Sequence, residues 1–279
     1  MSILIPRNSA YWIRDLRDGA YEVDWGSPFS EGLAAAVVAG NEIATGFDWT
    51  ANTTTQDGAD LVATDNTVNA YIQKPILATD NGLGTGDFSL YMHGKIAAAD
   101  GTVSNLIGNK NDLAGNPYSQ GFIGAHMNSG GGYAANSISL FTFSGGTSAT
   151  QLAGAVDVSR YQDIMGVREA SLHTMRVDDL SATALTTVRN ITGSNPRFIV
   201  GHSGKSTNGD AGAFVAPIGL AWNRAVSEEE YNDLRLNPAQ ILKSRRSYWS
   251  IPVDGGGPPT TFQPAWAMAS KRSNVIGAR

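Results

Sequence analysis

Apolar and polar residues alternate in short runs along most of this chain. Ser137 to Phe143 reads Ser-Ile-Ser-Leu-Phe-Thr-Phe, and Phe88 to Lys95, Gln162 to Arg168 and Ser171 to Val177 are similar half-apolar runs. A period near two, in runs bounded by Gly, Asn, Asp and Ser, predicts half-buried β-strands joined by turns. The same pattern predicts strands over 33–38, 42–48, 59–63, 69–73, 103–107, 118–126, 184–189, 196–202, 212–217 and 218–222. Asn81-Gly82, Gly84 to Gly86, Gly145-Gly146 and Asp178-Asp179 are turn sequences, the last a hairpin, and 108–117 and 129–132 read as polar loops. Neither a long helix nor a repeat of solenoid or propeller period is visible.

One short helix is written plainly. After the apolar run Ile218 to Trp222 come Asn223-Arg224-Ala225-Val226, then Ser227 and three glutamates. Ser227 stands as an N-cap with Glu230 three residues on, the spacing of a capping box. Glu228, Glu229 and Glu230 also face the positive end of the helix dipole. The segment predicts a strand that closes a sheet and a capped helical turn that redirects the chain.

Length and composition agree with one large β-domain. The chain has 279 residues, enough for a sizeable core, and its 32 Gly and 16% charged residues suit a turn-rich sandwich. The net charge of −5 gives no reason to expect a nucleic-acid partner or an anionic membrane. Without cysteine there is neither disulfide nor thiolate chemistry, which fits folding in a reducing cytoplasm. Met1 to Arg7 lacks the pattern of a secretion signal, and the apolar run 32–39 is about half of the roughly twenty residues that span a bilayer, so membrane insertion is not expected.

The two ends differ from the middle. Residues 1–30 are rich in aromatics and arginine and predict an extended N-terminal arm; 31–236 is the expected sandwich. Residues 237–253 predict a strap on the sandwich or on a neighbour, with Ile241 and Leu242 facing inward. Asp254 to Pro259 is a Gly/Pro linker, and 254–279 as a whole reads as a docking tail too short for its own core.

The run Asn223-Arg-Ala-Val-Ser-Glu-Glu-Glu230, preceded by the strand pair around 196–202 and 212–217 and by Phe88 to Lys95, resembles laminin-G-like, concanavalin A-like domains. That resemblance implies a two-sheet antiparallel jelly-roll sandwich. The ends, Asn237-Pro-Ala-Gln-Ile-Leu242, Arg245-Arg246, Trp249 to Val253 and the terminal Ser273-Asn-Val-Ile-Gly-Ala278, are similar to such proteins of tailed bacteriophages and prophages. The front of the chain, Ile5-Pro-Arg7 and Val23 to Leu33, is similar to their usual entry, with Phe29 where Leu is commoner. The resemblance implies a non-catalytic virion component (capsid decoration, head fibre, collar or tail) made in the host cytoplasm. Its expected partners are other virion proteins and copies of itself.

Candidate chemistry is sparse. Glu22-Val-Asp24 resembles the start of the catalytic strand of laminarinase-type hydrolases, but position 26 is Gly, so the second carboxylate that retaining hydrolysis needs is missing. His93, His126, His173 and His202 show no metal-pair spacing. Calcium is the cofactor worth asking about, with Asn109, Asp112, Asn208 and Asp210 as loop ligands; the plainer explanation is ordinary turn chemistry, and no cofactor is expected. Arg245, Arg246, Tyr248, Trp249, Phe262, Trp266, Val275 and Ile276 suit a protein interface. The alternative function is adhesion through glycan binding, with Tyr118 and Tyr133 as aromatic platforms and Trp222 as a core residue. A polysaccharide hydrolase or lyase comes third.

Overall fold

The computed structural model describes residues 21–38, 50–52, 55–57, 60–63, 71–75, 84–99, 104–110, 120–126, 132–143, 147–191, 197–201 and 212–244. Two large sheets face each other. The first has eight strands in the order Leu180–Leu185 (β14), Leu172–Val177 (β13), Gln162–Glu169 (β12), Phe88–Ala99 (β7), Gly212–Trp222 (β16), Asp60–Ala63 (β5) and Thr55–Asp57 (β4), with Leu33–Val38 (β2) also on β16. The second has seven, in the order Thr147–Leu152 (β11), Ser137–Phe143 (β10), Gln120–His126 (β9), Ser104–Lys110 (β8), Arg197–Gly201 (β15), Tyr71–Pro75 (β6) and Thr50–Asn52 (β3). Tyr21–Val23 (β1) pairs with Leu242–Ser244 (β17) in a separate ribbon. All these pairings are antiparallel, and the expected all-β, two-sheet sandwich is the architecture found.

The space between the sheets is filled by one face of each. Phe88, Leu90, Met92, Ile164, Met175 and Val177 meet Leu106, Ile107, Ile123, Ile138, Leu140 and Phe198. A second apolar layer covers the outer face of the eight-stranded sheet: Tyr91, Met165, Val167, Ile218, Leu220 and Trp222 lie under Val23, Phe29, Val226, Tyr231, Leu234 and Ile241. Strand β12 therefore has apolar contacts on both faces, and seven of its eight residues are buried. That explains why its sequence does not alternate cleanly.

Three details differ from the pattern in the sequence. Gly212 to Trp222 is one strand rather than two; it continues through a register shift between Val215 and Ile218, where Pro217, which has no N–H to give the ladder, is accommodated. Strand β8 runs on through Gly108 and Asn109 to Lys110, so Asn109 belongs to a strand and not to a loop. The reason is close packing: a Cβ on Gly108 would lie 2.3 Å from the Phe122 Cβ and 2.7 Å from the Gly121 carbonyl oxygen. Strand β14 begins directly after the Asp178-Asp179 turn, four residues before the alternation predicted it. Residues 42–48, predicted as a strand, lie outside the described residues.

Candidate functional site

The helix expected after Val226 is Glu228–Leu236 (α1), and its capping box is complete. Glu230 N donates to Ser227 Oγ at 3.1 Å, and Ser227 N donates to Glu230 Oε2 at 2.8 Å. Arg224 grips the same carboxylate with Nη1 at 2.9 Å and Nη2 at 2.6 Å, and its Nε donates to the Glu31 carbonyl at 2.8 Å. The Arg224 hydrogen bonds, against a desolvation effect of opposite sign, hold the Glu230 carboxyl below its ordinary range. One strand back, Trp222 is fully buried and its Nε1 donates to the Phe29 carbonyl at 2.7 Å. The start of α1 is thus fixed to both the sheet and the N-terminal segment.

Glu228, Tyr231, Asn232 and Arg235 recur at i, i+3, i+4 and i+7, which places them on one face of α1. That face looks onto the β13–β14 hairpin. Arg176 lies on the outer side of β13, opposite in parity to the core residues Met175 and Val177. The Arg176 and Arg235 guanidiniums lie 5.8 and 5.6 Å from the centre of the Tyr231 ring. The Tyr231 hydroxyl donates to the Asp163 carbonyl at 2.8 Å and lies 3.2 Å from that of Asp178. Burial pushes the Tyr231 phenol well above its ordinary pKa.

The turn residues are held as firmly. Asp178 adopts φ 52°, a conformation that Asp tolerates better than most residues. Its Oδ1 accepts from Asp163 N at 3.0 Å, and its Oδ2 pairs with Arg160 Nη2 at 2.7 Å. Asp179, with its side chain largely exposed, pairs with Arg235 Nη1 at 2.6 Å. Burial, the largest single effect, works to lower the Arg235 guanidinium, but the Asp179 hydrogen bond and the charges of Tyr231, Asp179 and Asp163 together outweigh it and the pKa is raised.

Between helix and hairpin lies a polar cavity of about 210 Å³, lined by Arg176, Asp178, Asp179, Leu180, Ser181, Glu228, Tyr231, Asn232 and Arg235. An adjoining space shares Asp179, Asn232 and Arg235 and adds Leu236. Leu180 and Leu236 are 51% and 62% exposed at its rims. Among the described residues, Arg176 Nη1 and Arg235 Nε are buried N–H groups without an acceptor. Two guanidinium donors, three carboxylate acceptors and one amide that does both converge on a small space.

A second polar cluster lies on the same outer face. Asp163 Oδ1 accepts from the Tyr91 hydroxyl at 2.7 Å and lies 2.8 Å from His93 Nδ1, while the Tyr161 ring stacks on His93 at 5.5 Å. Tyr91 and His93 are alternate residues of β7, and Asp163 is the cross-strand partner of His93. Because Asp163 also meets Asp178 and Tyr231, this cluster backs the cavity.

Of the site residues predicted from sequence, Asn109 and Tyr133 fall among the described residues. Arg245, Arg246, Tyr248, Trp249, Phe262, Trp266, Val275 and Ile276 lie outside the described residues, as do Tyr118, Asp112, Asn208 and Asp210. Tyr133 is half-buried, its ring stacked on His126 at 4.3 Å and set edge-on to Phe141 at 5.3 Å. Among the described residues no group of three or more His, Cys, Asp or Glu could hold a metal ion. No helix among them is long and apolar enough to cross a membrane. The cavity itself is not legible in the sequence; the one signal for it there is the i, i+3, i+4, i+7 stripe of α1.

No protein-family model matches this chain, and no curated protein does. Solved structures do. A Trypanosoma rangeli sialidase in complex with 2,3-difluoro-KDN aligns with a TM-score of 0.55 at 14% identity, over 82% of this chain and 38% of that one. The binding domain of botulinum neurotoxin serotype D/C aligns with a TM-score of 0.53 at 9% identity, over 76% of this chain and 53% of that one. A T. rangeli sialidase in complex with sialic acid gives 0.52 at 14% identity, over 76% and 34%. The chain therefore spans between about a third and a half of these neighbours. At such identities the likeness is one of fold: a β-sandwich shared with parts of sialidases and of a toxin binding domain.

Proposed function

We propose that this sandwich recognises carbohydrate through the cavity between α1 and the β13–β14 hairpin, and that it binds without turnover. The observation that carries this is the pair of buried, acceptor-less guanidinium N–H groups, Arg176 Nη1 and Arg235 Nε, at a cavity where Asp178 and Asp179 already pair with Arg160 and Arg235. Buried donors are nearly always satisfied in folded proteins, so two at one cavity point to a ligand that brings acceptors. Hydroxyl groups of a sugar do this and donate in return to Asp179, Glu228 and the Asn232 carbonyl. Leu180 and Leu236 at the rims suit the C–H face of a sugar ring. The volume lies below the roughly 300–1,000 Å³ of drug-sized pockets, which suits one ring rather than a long chain.

The fold supports this reading more than it supports any other. One structural neighbour is a sialidase crystallised with sialic acid and another is a toxin's binding domain. Binding is favoured over hydrolysis because Asp178 and Asp179 are each already engaged by a guanidinium, Arg160 and Arg235. A glycan array probed with the full chain tests the reading: reproducible binding that free sugar competes away supports it, and a silent array contradicts it.

A second reading, assembly into a bacteriophage particle as a non-catalytic component, rests on the resemblance of the chain's ends. The feature that favours it is the edge strand β14, where Leu180 and Leu185 are 51% and 81% exposed. In that reading 237–253 and 254–279 contact neighbouring subunits. A chain lacking 254–279 would then stay folded but assemble poorly; normal incorporation of the shortened protein would contradict it.

A further inference from the structure

We infer that the ligand of the α1–hairpin cavity is an uncharged glycan, and that acidic sugars are disfavoured there; this rests on the carbohydrate reading above. The reason is charge matching. Three carboxylates, Asp178, Asp179 and Glu228, line the cavity with two guanidiniums, Arg176 and Arg235, and a third, Arg160, neutralises Asp178 from outside the lining. Asp179 already occupies Arg235 Nη1, and the positive end of the α1 dipole faces the glutamates of the first turn. No net positive charge is left to compensate a carboxylate or sulfate on the ligand.

An acidic group placed against Arg176 would also lie close to the carboxylates of the lining, and a like charge in a partly buried site is costly. A hydroxyl carries no such penalty. It accepts from Arg176 Nη1 or Arg235 Nε and donates to Asp179 or Asn232, so a vicinal diol can satisfy both orphan donors and return two hydrogen bonds. This preference departs from the sialic acid held by one structural neighbour, since it follows from the charges of this cavity and not from the shared fold.

The test is calorimetric titration of the full chain with two panels: neutral methyl glycosides and oligosaccharides of glucose, galactose, mannose and N-acetylglucosamine, and sialic acid- or uronic acid-terminated counterparts. Asp179→Ala and Asn232→Ala, both at exposed positions, are titrated in parallel. The expected result is saturable binding of at least one neutral sugar, with acidic counterparts at least about tenfold weaker and neutral binding reduced about tenfold or more in each variant. Tighter binding of the acidic panel overturns the uncharged class while leaving carbohydrate recognition standing. Neutral binding unchanged in both variants overturns the assignment to this cavity. Silence of both panels overturns the carbohydrate reading and this inference with it.

Discussion

The Tyr231 hydroxyl donates to the Asp163 carbonyl at 2.8 Å, and through that bond the floor of the cavity is tied to the middle of the sheet. Asp163 is the junction: its side chain serves Tyr91 and His93, and its backbone serves Tyr231 and Asp178. Tyr231→Phe keeps the ring under both guanidiniums but removes the bond. The expected loss is about 1 kcal/mol, seen as a lower denaturant midpoint with an unchanged slope.

The cap of α1 makes a second prediction. Glu230→Ala removes half of the capping box and the bidentate partner of Arg224, which is expected to cost about 1–2 kcal/mol. Because the folded carboxyl titrates below its unfolded value, its contribution is complete above about pH 4.5 and is lost as pH falls through the folded pKa. The variant's stability should therefore converge with that of the parent in strong acid.

A different acid effect comes from the core. His173 is fully buried, and neither ring nitrogen has a partner among the described residues. Burial, and then the nearby Arg168 guanidinium, lower its pKa to about 4. The unfolded chain takes up this proton near pH 6.5 while the folded one does not, so stability should fall as pH drops from about 6.5 to about 4 and level off below. Urea titrations at several pH values check this; His173→Leu should flatten that part of the profile.

Ala170 offers a stabilising change. It closes the β12–β13 hairpin at φ 50°, where an L-residue with a Cβ is disfavoured, and its N–H is held by Asp87 Oδ1 at 2.7 Å. Ala170→Gly removes the steric cost and adds chain entropy to the unfolded state, leaving an expected net gain of up to about 1 kcal/mol. The melting temperature should rise by about 2–4 °C per kcal/mol.

Gly108 predicts the opposite sign. With Phe122 and the Gly121 carbonyl where a Cβ would go, Gly108→Ala forces β8 and β9 apart. The expected loss is about 1–3 kcal/mol or more, read from the denaturant midpoint.

Features whose cause is local are legible in the amino-acid sequence. The Ser227–Glu230 box is a contact across three residues, and the alternation at Ser137 to Phe143 reports a strand with one buried face, so short windows of sequence carry both. The continuation of β8 through Gly108 is hidden because its cause, the Phe122 side chain, belongs to another strand. The unbroken burial of β12 is hidden because two separate layers cover it. The cavity is hidden for the same reason: Arg176 and Asp179 come from a hairpin and Asn232 and Arg235 from a helix some fifty residues later, and it takes the tertiary contacts of both arginines with Tyr231 and of Arg235 with Asp179 to bring them together.

The most direct measurement of sugar recognition at this cavity is a nuclear magnetic resonance titration of the isotope-labelled full chain with a neutral methyl glycoside, following backbone amides and the Asn232 side-chain amide. Saturable shifts concentrated in residues 176–181 and 228–236 are the predicted result. Shifts concentrated elsewhere on the sandwich, or none at saturating sugar, would contradict recognition at this cavity.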